Sequence, residues 1–422
     1  MLSNTWKYIP GEEYCSKVTD GTHDTPKQSE YGRPLITSKH IKGDEIDFNT
    51  AYLISEQDFH EINKRSKVEQ WDVIISMIGA YCGFCFIESN EKINYAVKNV
   101  GLFKAGSEIN AKWLYYYLNS PIGKAHLDAV KSGSTQPYIA LGSLRNLPIL
   151  VPTQDEVKEK IVRVLDAIDK KIRVNNRINA ELEAMAKTLY DYWFVQFDFP
   201  DANSKPYKTS GGKMIYNPTL QREIPEGWEA GTLEDLGKIV GGSTPSTQNA
   251  ENFTTEGTPW ITPNDLSNNQ GNKFISRGEQ DVSTKGIKSA SLKKYPAGTV
   301  LLSSRAPIGY MAISRNEVTT NQGFKSFIPN KGYSSEFIYY TVKDSLKAIT
   351  QYASGSTFKE VSGGTLKTVK IVLPKMDVSG AFNNRIQPIF SKQDFIEREN
   401  EKLAQLRDWL LPMLMNGQVT VK

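Results

Sequence analysis

Residues 132–155 read SGSTQPYIALGSLRNLPILVPTQD, and residues 354–377 read SGSTFKEVSGGTLKTVKIVLPKMD. Leu144 falls on Leu366 and Pro152 on Pro374, so the second stretch returns the first. The correspondence extends outward on both sides. GRPLIT (32–37) meets GTPWIT (257–262), and GFCFIESNE (83–91) meets GYMAISRNE (309–317). KWLYYYLNS (112–120) meets EFIYYTVKD (336–344), and NAELEAM (179–185) meets NEKLAQL (400–406). Solenoid units run roughly 20–50 residues, far shorter than this period. The chain is two copies of a whole domain with an attached helix, an arrangement suited to a ligand with two related halves, such as duplex DNA.

A length of 422 residues allows two to three domains, each with its own core. The balance of 39% hydrophobic and 23% charged residues belongs to ordinary globular chains. No apolar run approaches the roughly 20 residues of a membrane span, and the start lacks the pattern of a signal peptide. The expected location is cytoplasmic. A net charge of +4 neither proves nor excludes nucleic-acid binding, because basic residues act through clustering. Three cysteines are too few for a disulfide framework. Cys82 and Cys85 form a CxxC, but Cys85 falls on Met311 in the second copy, which reads as a small hydrophobe in a strand. His23, His40, His60 and His126 show no ligand spacing.

Each copy has a strand-rich globule, with β-like runs such as WDVIISMIG, YAVKNVGLF and GTVLLSS broken by Gly, Pro and Asn. One embedded helix is expected at about 109–130 and another at 333–352. The fold class is mixed α/β. The first globule spans 1–150 and the second 225–373. A long helix follows each, at 151–196 and 374–422, and the Pro-, Gly- and Ser-rich segment 197–224 reads as a linker. Thr153-Gln-Asp-Glu156 predicts a capping box that starts the first helix at Thr153. Its heptad places Ile161, Ile168, Asn175, Leu182 and Leu189 at a, and Val157, Val164, Ile178, Met185 and Tyr192 at d. In the second helix Phe382, Ile389, Ile396, Leu403 and Leu410 take a, and Leu406 and Met413 take d. Two such stripes in one chain pair most simply as a coiled coil; packing of each helix on its own globule stays open. Pro388 is a site for a kink and Gly417 a stop.

Catalytic motifs are missing: there is no HExxH, kinase set or EF-hand loop. GTLEDLGKI (231–239) fails as a phosphate loop, with five residues between its glycines and Ile239 where Ser or Thr must stand. No Asn-Pro-Pro-aromatic run is present for holding a flipped adenine. The chain reads as a binding and scaffolding protein.

The ordered series that occurs twice resembles the specificity subunit of Type I restriction–modification enzymes. GRPLIT and GTPWIT, the SGST loops, LPILVPTQDE with its helix, and IPEGWE carry the likeness over about 1–420. The resemblance implies that the globules are target recognition domains reading the halves of a bipartite DNA sequence. It implies that the long helices form an antiparallel coiled coil that spaces the globules and docks modification (methyltransferase) subunits. It places S-adenosylmethionine, ATP and magnesium on the modification and restriction (ATP-dependent translocase/nuclease) subunits, none on this non-catalytic chain. The specificity subunit of a fused restriction–methylation enzyme, and a duplicated coiled-coil adaptor that does not read DNA, are the rival readings.

Residues shared by the copies suit shared work, and residues that differ at matched loops suit reading different half-sites. Ser132, Ser134 and Thr135, and Ser354, Ser356 and Thr357, are hydroxyls on Gly-relaxed loops that can donate to phosphates, flanked by Lys131 and Lys359. A turn held by local Ser/Thr bonds is the alternative. Among divergent positions, Thr22, His23 and Thr25 face Ser243 and Thr244, Lys39 and His40 face Asn264, and Gln136 faces Phe358. Arg305, Asn321, Gln322 and Lys325 complete the set. Gln reads adenine and Lys or Arg reads guanine through paired hydrogen bonds.

Overall fold

Short apolar runs become short strands, and the longest of them lie fully inside. Asp72–Ser76 is buried at every position, as is its counterpart Val300–Ser304. The computed structural model describes residues 5–42, 45–305, 307–353 and 360–421. It divides into two units, Met1–Arg173 with Glu401–Lys422, and Val174–Asn400.

In the first unit the strands Lys17–Asp20, Val100–Lys104, Asp72–Ser76 and Cys85–Ile87 lie side by side in that order, all antiparallel. Arg33–Thr37 runs parallel to Ala96–Lys98, and Trp6–Pro10 pairs antiparallel with Pro148–Pro152. The second unit repeats every step. Lys238–Gly241, Lys325–Ile328, Val300–Ser304 and Ile308–Ser314 follow the same order. Thr258–Ile261 runs parallel to Thr319–Thr320, and Glu229–Thr232 pairs with Lys370–Leu373. The duplication written in sequence is thus a duplication of topology.

Each expected embedded helix is two. Glu108–Asn119 ends at Ser120, which is extended because Pro121 follows, and Ser120 then caps Pro121–Val130 by accepting from Gly123 N. In the second unit Ser335–Asp344 gives way at Ser345 to Leu346–Gln351. The aromatic faces turn inward, burying Trp113, Tyr116 and Tyr117, and Phe337, Tyr339 and Tyr340.

The first long helix is Asp155–Tyr190 and the second Met376–Met415, which runs on through Pro388. The first begins two residues later than the capping box predicts, because Thr153 is taken by the strand end. Its N and Oγ1 both donate to Thr5 O. Gly417, at φ +75°, stops the second helix, and Trp6 occupies the space a Cβ there would need. The two helices pair antiparallel: Asp169 meets Arg407 in the first unit, and Asn175 meets Asn400 and Asn179 meets Glu397 in the second. Each half of the pair is also built into a globule's core. Ile161, Leu165, Leu411 and Leu414 pack with Trp113, and Ala186, Tyr190, Phe382 and Ile386 pack with Phe337.

The seam register differs from the heptad reading. Met185, Tyr192 and Leu406 face solvent, and Leu182 is half-buried. The buried line is Ile161, Leu165, Ile168, Asn175, Asn179, Ala186 and Tyr190. The two lines share Ile161, Ile168 and Asn175, and the buried one turns from there to Asn179, whose partner is polar. Asn175 Nδ2 donates to Glu399 Oε2 at 2.7 Å and to Asn400 Oδ1 at 2.8 Å. The segment 197–224 is no loose linker either. Phe197, Phe199 and Ile224 are buried with Trp228, Asp198 Oδ1 accepts from Thr209 N at 2.7 Å, and Met214–Asn217 pairs with Arg222–Pro225. Three apolar side chains outweigh the turn-forming composition.

An ionic cluster fixes the helix pair to the second globule. Lys273, 4% exposed, places Nζ 2.6 Å from Glu183 Oε2, 2.7 Å from Gln393 Oε1, and 3.8 Å from the centroid of the Phe390 ring. Burial raises the Glu183 carboxyl, but the charge and hydrogen bond of Lys273, with Lys343, outweigh it and hold Glu183 at about 2. Its folded value lies below its ordinary 4.5, so its stabilisation is present above that pH and is lost as pH falls through 4.5 toward 2. The stability gap between wild type and Glu183→Gln should therefore shrink by roughly 3 kcal/mol across that window. Denaturant unfolding at a series of pH values measures it, and parallel pH profiles would disprove the pairing.

Candidate nucleic-acid interface

In both units the turn after the first sheet strand crosses the end of the parallel pair, and polar side chains collect there. In the first unit Thr22 N donates to Val97 O at 3.1 Å, and Lys98 Nζ donates to Thr25 Oγ1. The ring nitrogens of His23 lie 2.8 Å from Asp20 Oδ2 and 3.1 Å from Asn99 Oδ1. Asp20 is buried and also receives Arg65, so it acts as the anchor, while the His23 side chain is 62% exposed. The structure therefore joins Thr22, His23 and Thr25 into one surface and adds Arg65, Lys98 and Asn99.

The second unit builds the corresponding surface from different groups. Ser243 N donates to Thr320 O at 3.0 Å, and Thr244 Oγ1 donates to Gln322 Oε1. Asn321 Oδ1 accepts from Gly323 N at 2.9 Å, which commits its carbonyl to the turn and leaves the amide group to donate. Arg305 forms an isolated bridge with Glu360, its Nη1 lying 3.9 Å from Glu360 Oε2. Lys325 Nζ lies 3.7 Å from the other carboxylate oxygen, and its side chain is 19% exposed. Asn264 is exposed on the helix Pro263–Asn268, which Thr262 caps.

A third cluster is the loop of Lys131, Ser132, Ser134, Thr135 and Gln136. All except Lys131 are exposed. Lys131 Nζ lies 2.7 Å from Asp128 Oδ1. Ser132 and Tyr138 exchange backbone hydrogen bonds at 2.9 and 2.8 Å, so this is an ordered backbone loop with its hydroxyls outward. Ser354, Ser356, Thr357 and Lys359, with Phe358, lie outside the described residues.

One expected reader is displaced. His40 is fully buried, and its Nδ1 accepts from Thr37 N at 2.9 Å, closing a capping box on the turn Ser38–His40. Burial and the adjacent Lys39 lower its pKa, which favours the neutral ring. His40 thus holds the turn and cannot reach a groove, whereas Lys39 beside it is exposed. Cys82 and Cys85 are buried, and burial pushes the Cys85 thiol up to about 12, the opposite of a reactive thiolate. Among the described residues no group of three or more His, Cys, Asp or Glu is placed to hold a metal. Nor is any helix long and apolar enough to cross a membrane.

Sequence reading missed Arg65, Lys98, Asn99 and Glu360. Lys98 and Asn99 sit inside the run YAVKNVGLF, which reads only as strand, and Arg65 and Glu360 come from elsewhere in the chain. Exposed donors, amides and a guanidinium on rigid turns are the groups that contact phosphates and base edges.

Comparison with known proteins bears on the whole chain. A relative from Methanocaldococcus jannaschii, the Type I restriction enzyme MjaIX specificity subunit, is 47% identical over 199 residues. That match covers 46% of this chain and 44% of the relative, so it spans less than half of either. The Type I restriction enzyme HindI specificity subunit of Haemophilus influenzae is 26% identical over 410 residues, 84% of this chain and 88% of that one. The crystal structure of the S subunit of a Type-I restriction-modification system from M. genitalium shares the fold, with a TM-score of 0.59 at 14% identity. It covers 98% of this chain and 97% of its own. The profile described as Type I restriction modification DNA specificity domain matches residues 19–184 and 225–407, once on each copy of the duplication. With both copies matched over most of the chain, this protein belongs to the Type I restriction modification DNA specificity domain family.

Proposed function

We propose that the chain reads a bipartite DNA target, one half per unit, and brings modification and restriction subunits to it. The observation that carries this reading is one topology built twice with unlike chemistry at matched loop positions. Ile78 bridges Tyr138 where Arg305 bridges Glu360. His23 meets Asn99 where Thr244 meets Gln322. A shared scaffold with divergent exposed groups is what two readers of different sequences require.

The chemistry belongs to the partners on this reading. S-adenosylmethionine, ATP and magnesium are proposed to sit on the modification and restriction subunits, and the complex to work in the cytoplasm. The long helices supply docking surface. Val174 and Phe395, and Met185 and Leu406, are matched positions of the two copies, and all four apolar side chains are exposed, with Trp409 one turn beyond Leu406. Exposed apolar residues at the same places in both repeats support a helical partner face binding there.

Exchanging residues 1–150 for the equivalent globule of a related chain tests the two-reader reading. Methylated adenines mapped genome-wide, in cells carrying the chain with its partner subunits, should show one half of the target changed and the other kept. A target that changes in both halves, or in neither, rejects it. A complex that methylates without sequence preference favours the adaptor instead.

A further inference from the structure

We propose that the first unit carries an aromatic wedge, Tyr81, Phe84 and Tyr138, that packs against the bases of its DNA half-site. The inference rests on the two-reader reading and names how one reader works.

The turn between Asp72–Ser76 and Cys85–Ile87 is rigid. Gly83 N donates to Ser76 O and Ser76 N to Phe84 O, both at 2.8 Å, while Cys82 N donates to Gly79 O at 3.0 Å and Phe84 N to Tyr81 O at 2.9 Å. Gly79 and Gly83 stand at φ +82° and +99°, which only glycine adopts without strain. This backbone sorts the side chains against size. Met77, Cys82 and Cys85 go inside at 5%, 6% and 2% exposure, while Tyr81 and Phe84 stay outside at 37% and 45%. Their rings meet edge-on, with centroids 5.7 Å apart. Cysteine is the side chain most often enclosed, but phenylalanine is commonly enclosed too, so the exposed Phe84 is the exception.

The third ring comes from the hydroxyl loop. Ile78 bridges Tyr138, Gly79 N donates to Pro137 O at 2.8 Å, and Ile139 N donates to Met77 O at 2.9 Å, so turn and loop form one body. Tyr138 is 46% exposed. A side chain on Gly83 would meet Lys131 Nζ at 3.6 Å, which places the ammonium over the turn. Exposed rings therefore share one surface with an ammonium group, the hydroxyls of Ser132, Ser134 and Thr135, and the amide of Gln136. Rings contact thymine methyls or enter between base steps, and the neighbouring donors meet phosphates and base edges. A protein partner would match the rings, yet it gives no use to the row of hydroxyl and amide donors beside them. In the second unit Glu360 stands where Tyr138 stands, while Tyr310 falls on Phe84, so the three-ring set is particular to the first half-site.

The test uses the full chain copurified with its modification subunits and a duplex bearing the target mapped from cellular methylation. Phe84→Ala and Tyr138→Ala should each weaken binding about tenfold or more, the scale of losing one base–aromatic contact. Phe84→Tyr should bind as wild type. The slope of log affinity against log salt should not change, because no phosphate contact is lost. Subunit assembly and melting temperature should also hold, since the rings are exposed. Unchanged affinity in both alanine variants overturns the wedge, and so does loss of subunit assembly, which would assign the rings to a protein partner. A wild-type complex that selects no duplex overturns the two-reader reading and the wedge with it.

Discussion

Replacing Glu397 with alanine is expected to destabilise the second unit by roughly 3–5 kcal/mol, the scale of breaking a buried ion pair from one side. Glu397 is 1% exposed and sits on the second long helix. Its two oxygens accept from Lys273 N at 2.8 Å and Phe274 N at 3.0 Å, and Arg315 Nη2 lies 3.1 Å away. Alanine takes the acceptor from two amides at once, that of Lys273 buried, and removes a carboxylate facing a guanidinium that is itself 3% exposed. Glu397→Gln keeps the shape and can still accept from one amide, so it should cost less than alanine. Urea midpoints with the slope held constant report the difference. A loss below about 1 kcal/mol for Glu397→Ala would mean that this clasp does not form.

Trp113→Ala should cost the first unit about 3–5 kcal/mol, as large aromatic truncations in cores do. Trp113 is fully buried among Ile149, Leu150, Ile161 and Leu414, and so holds sheet, aromatic helix and both long helices together. Its Nε1 donates to Leu150 O at 3.0 Å, an acceptor the substitution leaves without that donor. Trp409→Ala is the internal control. That side chain is 64% exposed, and its loss should change stability by no more than about 0.5 kcal/mol. Equal effects from the two tryptophans would contradict the packing described here.

Much of the architecture was legible because it was written twice. A single strand-rich run such as WDVIIS is ambiguous, but the same order of runs recurring at matched positions identifies two globules and two helices. The family follows from the same recurrence. The site was legible only where loops differ between copies. Thr22, His23 and Thr25 do share a surface, and Thr244 does meet Gln322. His40 misled because a buried histidine and a reading histidine look alike in sequence; the bond from Thr37 N decides between them. Tyr81 and Phe84 went unread for the opposite reason, since large rings in an apolar run are expected inside.

By itself the sequence determined the duplication, the strand-rich globules, the long helices and the missing catalytic motifs, all of which rest on local composition and spacing. The tertiary structure decided what depends on residues far away in the chain. The helix stripe admits more than one line through Ile161, Ile168 and Asn175, and the polar partner Glu397, more than 200 positions distant, meets Asn179 on the buried line, which leaves Leu182 half-buried and Met185 outside. The segment 197–224 has a linker's composition but becomes core because Trp228 and its neighbours bury Phe197 and Phe199. Local patterns state which side chains are apolar, whereas the free energy of burial is set by the surface each one finds.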